Sequence, residues 1–501
     1  MASTTAEESA KNIQPALPDT STMAAHIPHE ISEEVFESPT ESRNGSVRSR
    51  SSSSSSSYQT SKLSGSDGRS YSSTIRHSQE PYELFRPRIE KLCQSLWPPQ
   101  KSFRHRFSNS QAASRLRAIK CLRPLVPSRQ TPVIQRLPGG DYNRIVGITL
   151  PPSYDIENRE LILRVPRGDD GTTPDRAVAI LNYVRKHTSI PVPMIAAKDF
   201  GRDNPLEKPY VIQNRLPGAD LNRIWNDLNH TQRCAVAHEL GGVMRTLLSL
   251  ETPVTGILEA TSKTTDTGEF SSIVPFELKL WGREIEGGSV PLPSTNTPRD
   301  RQTTLDFFQT QFERWRADAV CGLQDFSTGN DVKLFDGMLK ATREMADLGL
   351  FEPDLHCLCH VDLHMGNVMA KLQSDNAIKI TAILDWDEAV FAPKFAACEP
   401  LGWLWGYIAS DHVDEDEHLT WPYELAGAND TPSTPEQQEL KRVFDEQAGP
   451  EYPHLAYAKI SRLCRGLFRI ATQGMPASHY YKAATRILKE WEVLRQSLIQ
   501  G

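Results

Sequence analysis

The stretch His360-Val361-Asp362-Leu363-His364-Met365-Gly366-Asn367, followed by Ile383-Leu384-Asp385-Trp386-Asp387, decides the reading of this 501-residue chain. Short apolar runs at 355–359 and 378–384 flank these polar clusters and interrupt a region otherwise patterned as helix. Catalytic phosphoryl transfer needs a carboxylate to orient a hydroxyl nucleophile, and oxygen ligands to hold magnesium against phosphates. Asp362, Asn367 five residues later and Asp385 at the end of a strand supply those parts.

Working upstream, strands are expected at 133–137, 144–150 and 161–165. A helix is expected at 177–185, after the cap region Thr173-Pro174-Asp175, and a further strand at 210–212 ends at Leu216-Pro217-Gly218. Strands, one helix, then a strand make a small α+β unit. Gly139 and Gly140 lie between the first two strands, where backbone N–H groups could approach phosphates; an ordinary hairpin turn is an equal reading of this loop alone. Arg164 on the third strand is placed to meet the α- and β-phosphates. Helices are expected at 230–250, 305–320, 332–348 and 480–498. The spacing from His360 to Asn367 is H-x-D-x-x-x-x-N, as in a kinase catalytic loop, and Asp385 stands where the D-F-G aspartate would be.

The chain resembles the aminoglycoside phosphotransferase and choline kinase group in its fungal form. The residues carrying the likeness are Arg136-Leu137-Pro138-Gly139-Gly140 with Asn143-Arg144, Leu163-Arg164-Val165-Pro166-Arg167, and His187-Thr188-Ser189-Ile190-Pro191-Val192-Pro193. They continue through His360 to Asn367, and Ile383 to Ala389 with Phe391-Ala392-Pro393. The resemblance implies an α+β, two-lobed protein-kinase-like fold with a small antiparallel-sheet N-lobe, a large helical C-lobe, and ATP and Mg2+ between them. It implies Asp362 as catalytic base, with His360 supporting the loop by packing, and Asn367 and Asp385 as magnesium ligands. The nucleotide would meet Gly139, Gly140, Asn143 and Arg164, and the backbone from Gln213 to Arg215 would meet adenine. His364 and Asp387 would support these groups. Two departures stand out: Arg164 replaces the usual Lys, and Ala177 occupies the helix position where an acid should face it. The expected activity is transfer of a γ-phosphate to a hydroxyl of a small molecule, with a non-catalytic nucleotide-binding scaffold as the alternative. A protein kinase is disfavoured by the short segment after Asp385, which has no A-P-E element.

Charge divides the chain. Residues 1–40 carry one Lys against seven acids, and 41–123 carry sixteen Lys and Arg against five acids; the overall −7 leaves −12 for the remainder. Residues 1–80 read as a disordered serine-rich tail open to regulatory kinases, and 81–125 as a basic extension with a short helix stopped by Pro98-Pro99. The N-lobe is expected over 126–215 and the C-lobe over 216–501. Eight sparse cysteines and no secretory start predict a cytoplasmic protein, with a nuclear or mitochondrial site left open. No membrane span and no nucleic-acid partner are expected. His356-Cys357-Leu358-Cys359-His360 reads as buried strand rather than as one tetrahedral metal site, and the acids at 411–417 as a solvated loop.

Overall fold

The computed structural model describes residues 80–98, 131–137, 142–154, 156–167, 174–260, 270–274, 302–320, 330–406 and 432–500. The serine-rich tail, most of the basic stretch, Gly139, Gly140 and the acids at 411–417 lie outside these residues.

Alternating apolar residues build the N-lobe. Helix α1 (Tyr82–Leu96) precedes strands β1 (Val133–Arg136), β2 (Asn143–Thr149) and β3 (Glu160–Pro166), helix α2 (Pro174–His187), and strands β4 (Ile195–Asp199) and β5 (Tyr210–Asn214). The five strands form one antiparallel sheet in the order β1-β2-β3-β5-β4. Leu161, Leu163 and Val165 of β3 and Tyr210 and Ile212 of β5 point to one face, where Phe85, Ile89, Leu92 and Cys93 of α1 cover them. Each large apolar side chain buried this way gains roughly 1.5–3 kcal/mol. That gain offsets Pro87, which sits inside α1 and deprives it of a backbone donor. The short basic-extension helix is therefore part of the sheet's own core.

The strand period turns Ile162, Arg164, Val211 and Gln213 to the opposite face. Register aligns them in rows: Ile145 with Arg164 and Arg164 with Val211, then Gly147 with Ile162 and Ile162 with Gln213. Helix α2 buries Ala179, Ile180, Leu181 and Val184 in the core of the helical lobe, and its Tyr183 ring meets Phe391 edge-on at 5.5 Å.

After β5 the chain crosses to the C-lobe through Gly218. Its φ is +107°, and a Cβ there would lie 2.1 Å from the Ala370 carbonyl oxygen, so only glycine fits. Strand β6 (Ala219–Asp220) leads to helix α3 (His230–Leu248), whose Asn229–Gln232 capping box closes its first turn. Strands β7 (Glu251–Thr252), β8 (Ile257–Ala260) and β9 (Phe270–Val274) precede helices α4 (Thr304–Val320) and α5 (Asp331–Asp347). Strands β10 (His356–Cys359), β11 (Val368–Ser374), β12 (Ala377–Ile383) and β13 (Val390–Pro393) come next. Helices α6 (Pro435–Ala448), α7 (Glu451–Tyr457), α8 (Lys459–Gln473) and α9 (Ser478–Gln500) complete the lobe. The architecture is the expected α+β fold of protein-kinase-like type, with a small antiparallel-sheet lobe and a large, mainly helical one. No helix among the described residues is long and apolar enough to cross a membrane.

Candidate active site

All four residues of β10 are buried, and the strand is held between β13 and β7. Its two cysteines are free and packed inside the core, and the Cys357 thiol is pushed up by its hydrogen bond with Cys359 and by burial. This rigid strand delivers the chain into His360, Val361 and Asp362. Val361 takes φ 69°, a left-handed conformation unusual for a β-branched residue. The bend sends the His360 ring inward and leaves the Asp362 carboxylate half-exposed. His360 Nε2 lies 2.8 Å from the Leu384 carbonyl oxygen and donates to it, and the ring packs against Trp386 at 4.6 Å. Burial pushes its pKa down to about 4, so the ring is neutral. His360 thus holds the loop and does not face a reactant.

A short 3-10 turn spans Met365–Asn367. Asn367 Nδ2 donates to the Asp362 carbonyl oxygen at 2.9 Å and to its Oδ2 at 3.1 Å, which leaves the amide oxygen as an acceptor. His364 Nδ1 accepts from the Gly366 N–H at 3.0 Å, and its Nε2 lies 3.5 Å from Asp362 Oδ2. With Nδ1 accepting, Nε2 is the ring nitrogen that carries a proton toward the carboxylate. Two side chains therefore fix the direction of Asp362.

Strand pairing brings the second cluster beside the first. Val368 of β11 pairs with Ile383 of β12, and the Leu384 N–H donates to the Asn367 carbonyl at 2.8 Å. Asp385, next in the chain, turns at φ 62° with its carboxylate about half-exposed. The Trp386 indole N–H closes the bend on the Ile383 carbonyl at 3.0 Å. The Asn367 amide oxygen and the Asp385 carboxylate are oxygen donors, the ligand type magnesium takes.

Arg164 reaches this turn from the sheet. Its Nη2 lies 2.5 Å from Asp387 Oδ2 and 3.2 Å from Asp385 Oδ1. Asn143 Nδ2 of β2 donates to the same Asp387 oxygen at 3.3 Å. Burial pulls the guanidinium pKa down, but the two carboxylates outweigh it and the net shift is upward. For Asp387, burial pushes the carboxyl up against the pull of Arg164. Its Oδ1 is buried and has no hydrogen-bond partner among the described residues.

Asp362, Asn367, Asp385, Arg164 and Asn143 are thus gathered in one cleft between the lobes. Gly139 and Gly140 fall outside the described residues. The hinge expectation changes in detail. The N–H groups of Asn214 and Arg215 already donate to the Met194 and Glu160 carbonyls, at 2.9 and 2.8 Å, so neither donor is left for a base. The Gln213 side chain, on the same sheet face as Arg164, is buried with its Oε1 unpartnered among the described residues. The Arg215 guanidinium lies over Gly147, 3.6 Å from where a Cβ would stand. Sequence reasoning placed no partner opposite Arg164; the Asp-Trp-Asp doublet shows a second acid but not that it reaches a residue 223 positions away.

An antiparallel sheet lobe, a helical lobe and a carboxylate–asparagine loop beside a second aspartate define a two-lobed, kinase-like protein. With residues 133–396 matching its profile, the chain belongs to the phosphotransferase enzyme family. A subtelomeric hrmA-associated cluster protein of Aspergillus fumigatus strain Af293 is 22% identical over 404 residues, covering 72% of this chain and 71% of that protein. Its counterpart in strain CEA10 is 21% identical over the same length and coverage. Among solved structures, a thermostable mutant of aminoglycoside phosphotransferase APH(4)-Ia is 18% identical, with a TM-score of 0.37 over 73% of this chain and 95% of that one. Choline kinase from Cryptosporidium parvum is 14% identical, with a TM-score of 0.36 over 74% and 90%.

Proposed function

We propose that this phosphotransferase moves the γ-phosphate of ATP to a hydroxyl group of a small molecule, with Mg2+ as cofactor. The observation that carries the reading is the linkage of Asp362 through Asn367 to the turn bearing Asp385. Asp362 would orient the acceptor hydroxyl and receive its proton as the oxygen attacks phosphorus and the bond to ADP breaks. Asn367 Oδ1 and Asp385 would hold the magnesium ion, which supplies charge neutralisation at the phosphate oxygens. Arg164 would meet the phosphates from the sheet, and the residues around Gly139 and Gly140 would contribute backbone donors.

A small acceptor is favoured by the short chain segment beyond Asp385. Strand β13 begins at Val390 and pairs at once with β10, Cys359 facing Val390, so no long activation segment separates the metal-side turn from the core. The pair Arg164–Asp387 also weakens the case for a non-catalytic scaffold, since the strand cation has an acid partner despite Ala177. The test is Asp362→Asn in the full chain, incubated with labelled ATP and a metabolite extract. Labelled product should appear with the wild type and be lost in a variant that still folds; undiminished turnover would remove Asp362 from its role.

A further inference from the structure

We propose that Asp387 is the positioning acid for Arg164, taking the part that a carboxylate on α2 would otherwise play. The inference rests on the phosphotransferase reading of the site and concerns how its strand cation is held.

A guanidinium on a strand that must meet phosphates needs a fixed direction, and a carboxylate partner supplies one. On α2 the position where the family pattern expects an acid is Ala177, which is buried and has no charge to offer. The helix is committed elsewhere, with Ala179, Ile180, Leu181 and Val184 in the helical lobe's core. Asp387 fills the need from another direction. Its Oδ2 is 2.5 Å from Arg164 Nη2, and the two side chains are only 25% and 14% exposed, so water screens the pair little. Asn143, on the strand beside β3, grips the same oxygen at 3.3 Å.

The turn carrying Asp387 is itself stiff. Trp386 is buried, and its indole N–H is bonded to the Ile383 carbonyl at 3.0 Å. Asp385, half-exposed, makes the longer contact to the same Arg164 nitrogen, 3.2 Å from its Oδ1, and would offer its other oxygen on the metal side. Asp387, two residues on, turns its carboxylate to the sheet. One turn thereby sets both the metal side and the strand cation, and the direction of Arg164 is set by that turn and not by the position of α2.

The test measures Mg·AMP-PNP affinity by calorimetry for the full-length wild type, Asp387→Asn, Asp387→Glu, Arg164→Met and the double variant Arg164→Met/Asp387→Asn. Asp387→Asn should weaken binding roughly ten- to hundred-fold. Asp387→Glu should recover most of that loss. In the Arg164→Met background, Asp387→Asn should cost nothing further, because its effect runs through Arg164. An equal loss in both backgrounds would assign Asp387 directly to metal or nucleotide and overturn the proposal, as would no loss at all. Melting temperatures of the same variants without nucleotide form a second cycle, and additive effects there would also overturn it. If the wild type takes no nucleotide, the phosphotransferase reading fails, and the nucleotide-free cycle alone decides whether Asp387 holds Arg164.

Discussion

The imidazole Nε2 of His360 donates to the carbonyl oxygen of Leu384, 2.8 Å away, and so ties the loop bearing Asp362 to the turn bearing Asp385. The bond requires a ring that stays folded into the core, where its Nδ1 has no partner among the described residues. Protonation there is opposed, and the pKa falls from 6.5 to about 4. Because the folded value lies below the unfolded one, the unfolded chain binds the proton first as pH drops. Stability from His360 is complete above about pH 6.5 and is lost progressively down to about pH 4, amounting to about 3 kcal/mol. Burial lowers His356 as well, with the same sign. Thermal melts between pH 4 and 7 should show this acid-side slope in the wild type and a shallower one in His360→Gln. Parallel slopes would mean that the ring is not held neutral.

Much of this was legible in the sequence, for identifiable reasons. Strands β2, β3 and β5 and helices α2, α3, α4, α5 and α9 announce themselves by period, because each shows one apolar face to a core. Edge strand β4 escaped notice: Ile195 to Asp199 has no buried face to create alternation. Helices α6 and α8 were also missed, α6 with only Leu440, Phe444 and Ala448 buried. The clustering of Asp362, Asn367 and Asp385 was readable because it depends on local spacing and one strand pairing. The Arg164–Asp387 pair was not, since it joins residues more than two hundred positions apart through tertiary packing. The same holds for α1, whose partners on the sheet lie beyond a long connection.

Val361 is expected to store strain for the loop. A half-exposed, β-branched side chain at φ 69° gives up roughly 1–3 kcal/mol of backbone energy. Val361→Gly would release it, while gaining back about 1 kcal/mol of unfolded-state entropy. The melting temperature should hold steady or rise slightly, and phosphate transfer should fall because Asp362 loses its fixed direction. A clear drop in melting temperature would show that side-chain contacts outweigh the strain.

Helix α1 should behave as part of the N-lobe core. Phe85 is 1% exposed, and the guanidinium of Arg144 stacks on its ring at 4.5 Å while donating to the Glu80 carbonyl. Phe85→Ala should cost about 3–5 kcal/mol, a cavity in the sheet's cover. Leu84→Ala, at a position 64% exposed, should stay within about 0.5 kcal/mol. Denaturant melts of both variants decide the matter, and equal effects would detach α1 from the sheet.

Asp385 offers the cleanest separation of metal from acceptor chemistry. Its φ of 62° is one that asparagine tolerates well, so Asp385→Asn removes charge without disturbing the turn. Asn keeps one oxygen acceptor but loses the negative charge that would hold a divalent cation under the proposed function. The increase in AMP-PNP affinity that magnesium confers on the wild type should shrink by roughly ten-fold or more. Affinity measured in chelator should fall less, because Arg164 loses its 3.2 Å ion pair with Asp385 but keeps the shorter one with Asp387. Asp362→Asn should do the reverse, keeping the magnesium increment while losing transfer, since the proposed function assigns Asp362 to the acceptor hydroxyl. Calorimetry with magnesium and with chelator on both variants reads the difference. A magnesium increment that survives in Asp385→Asn and vanishes in Asp362→Asn would exchange the two roles.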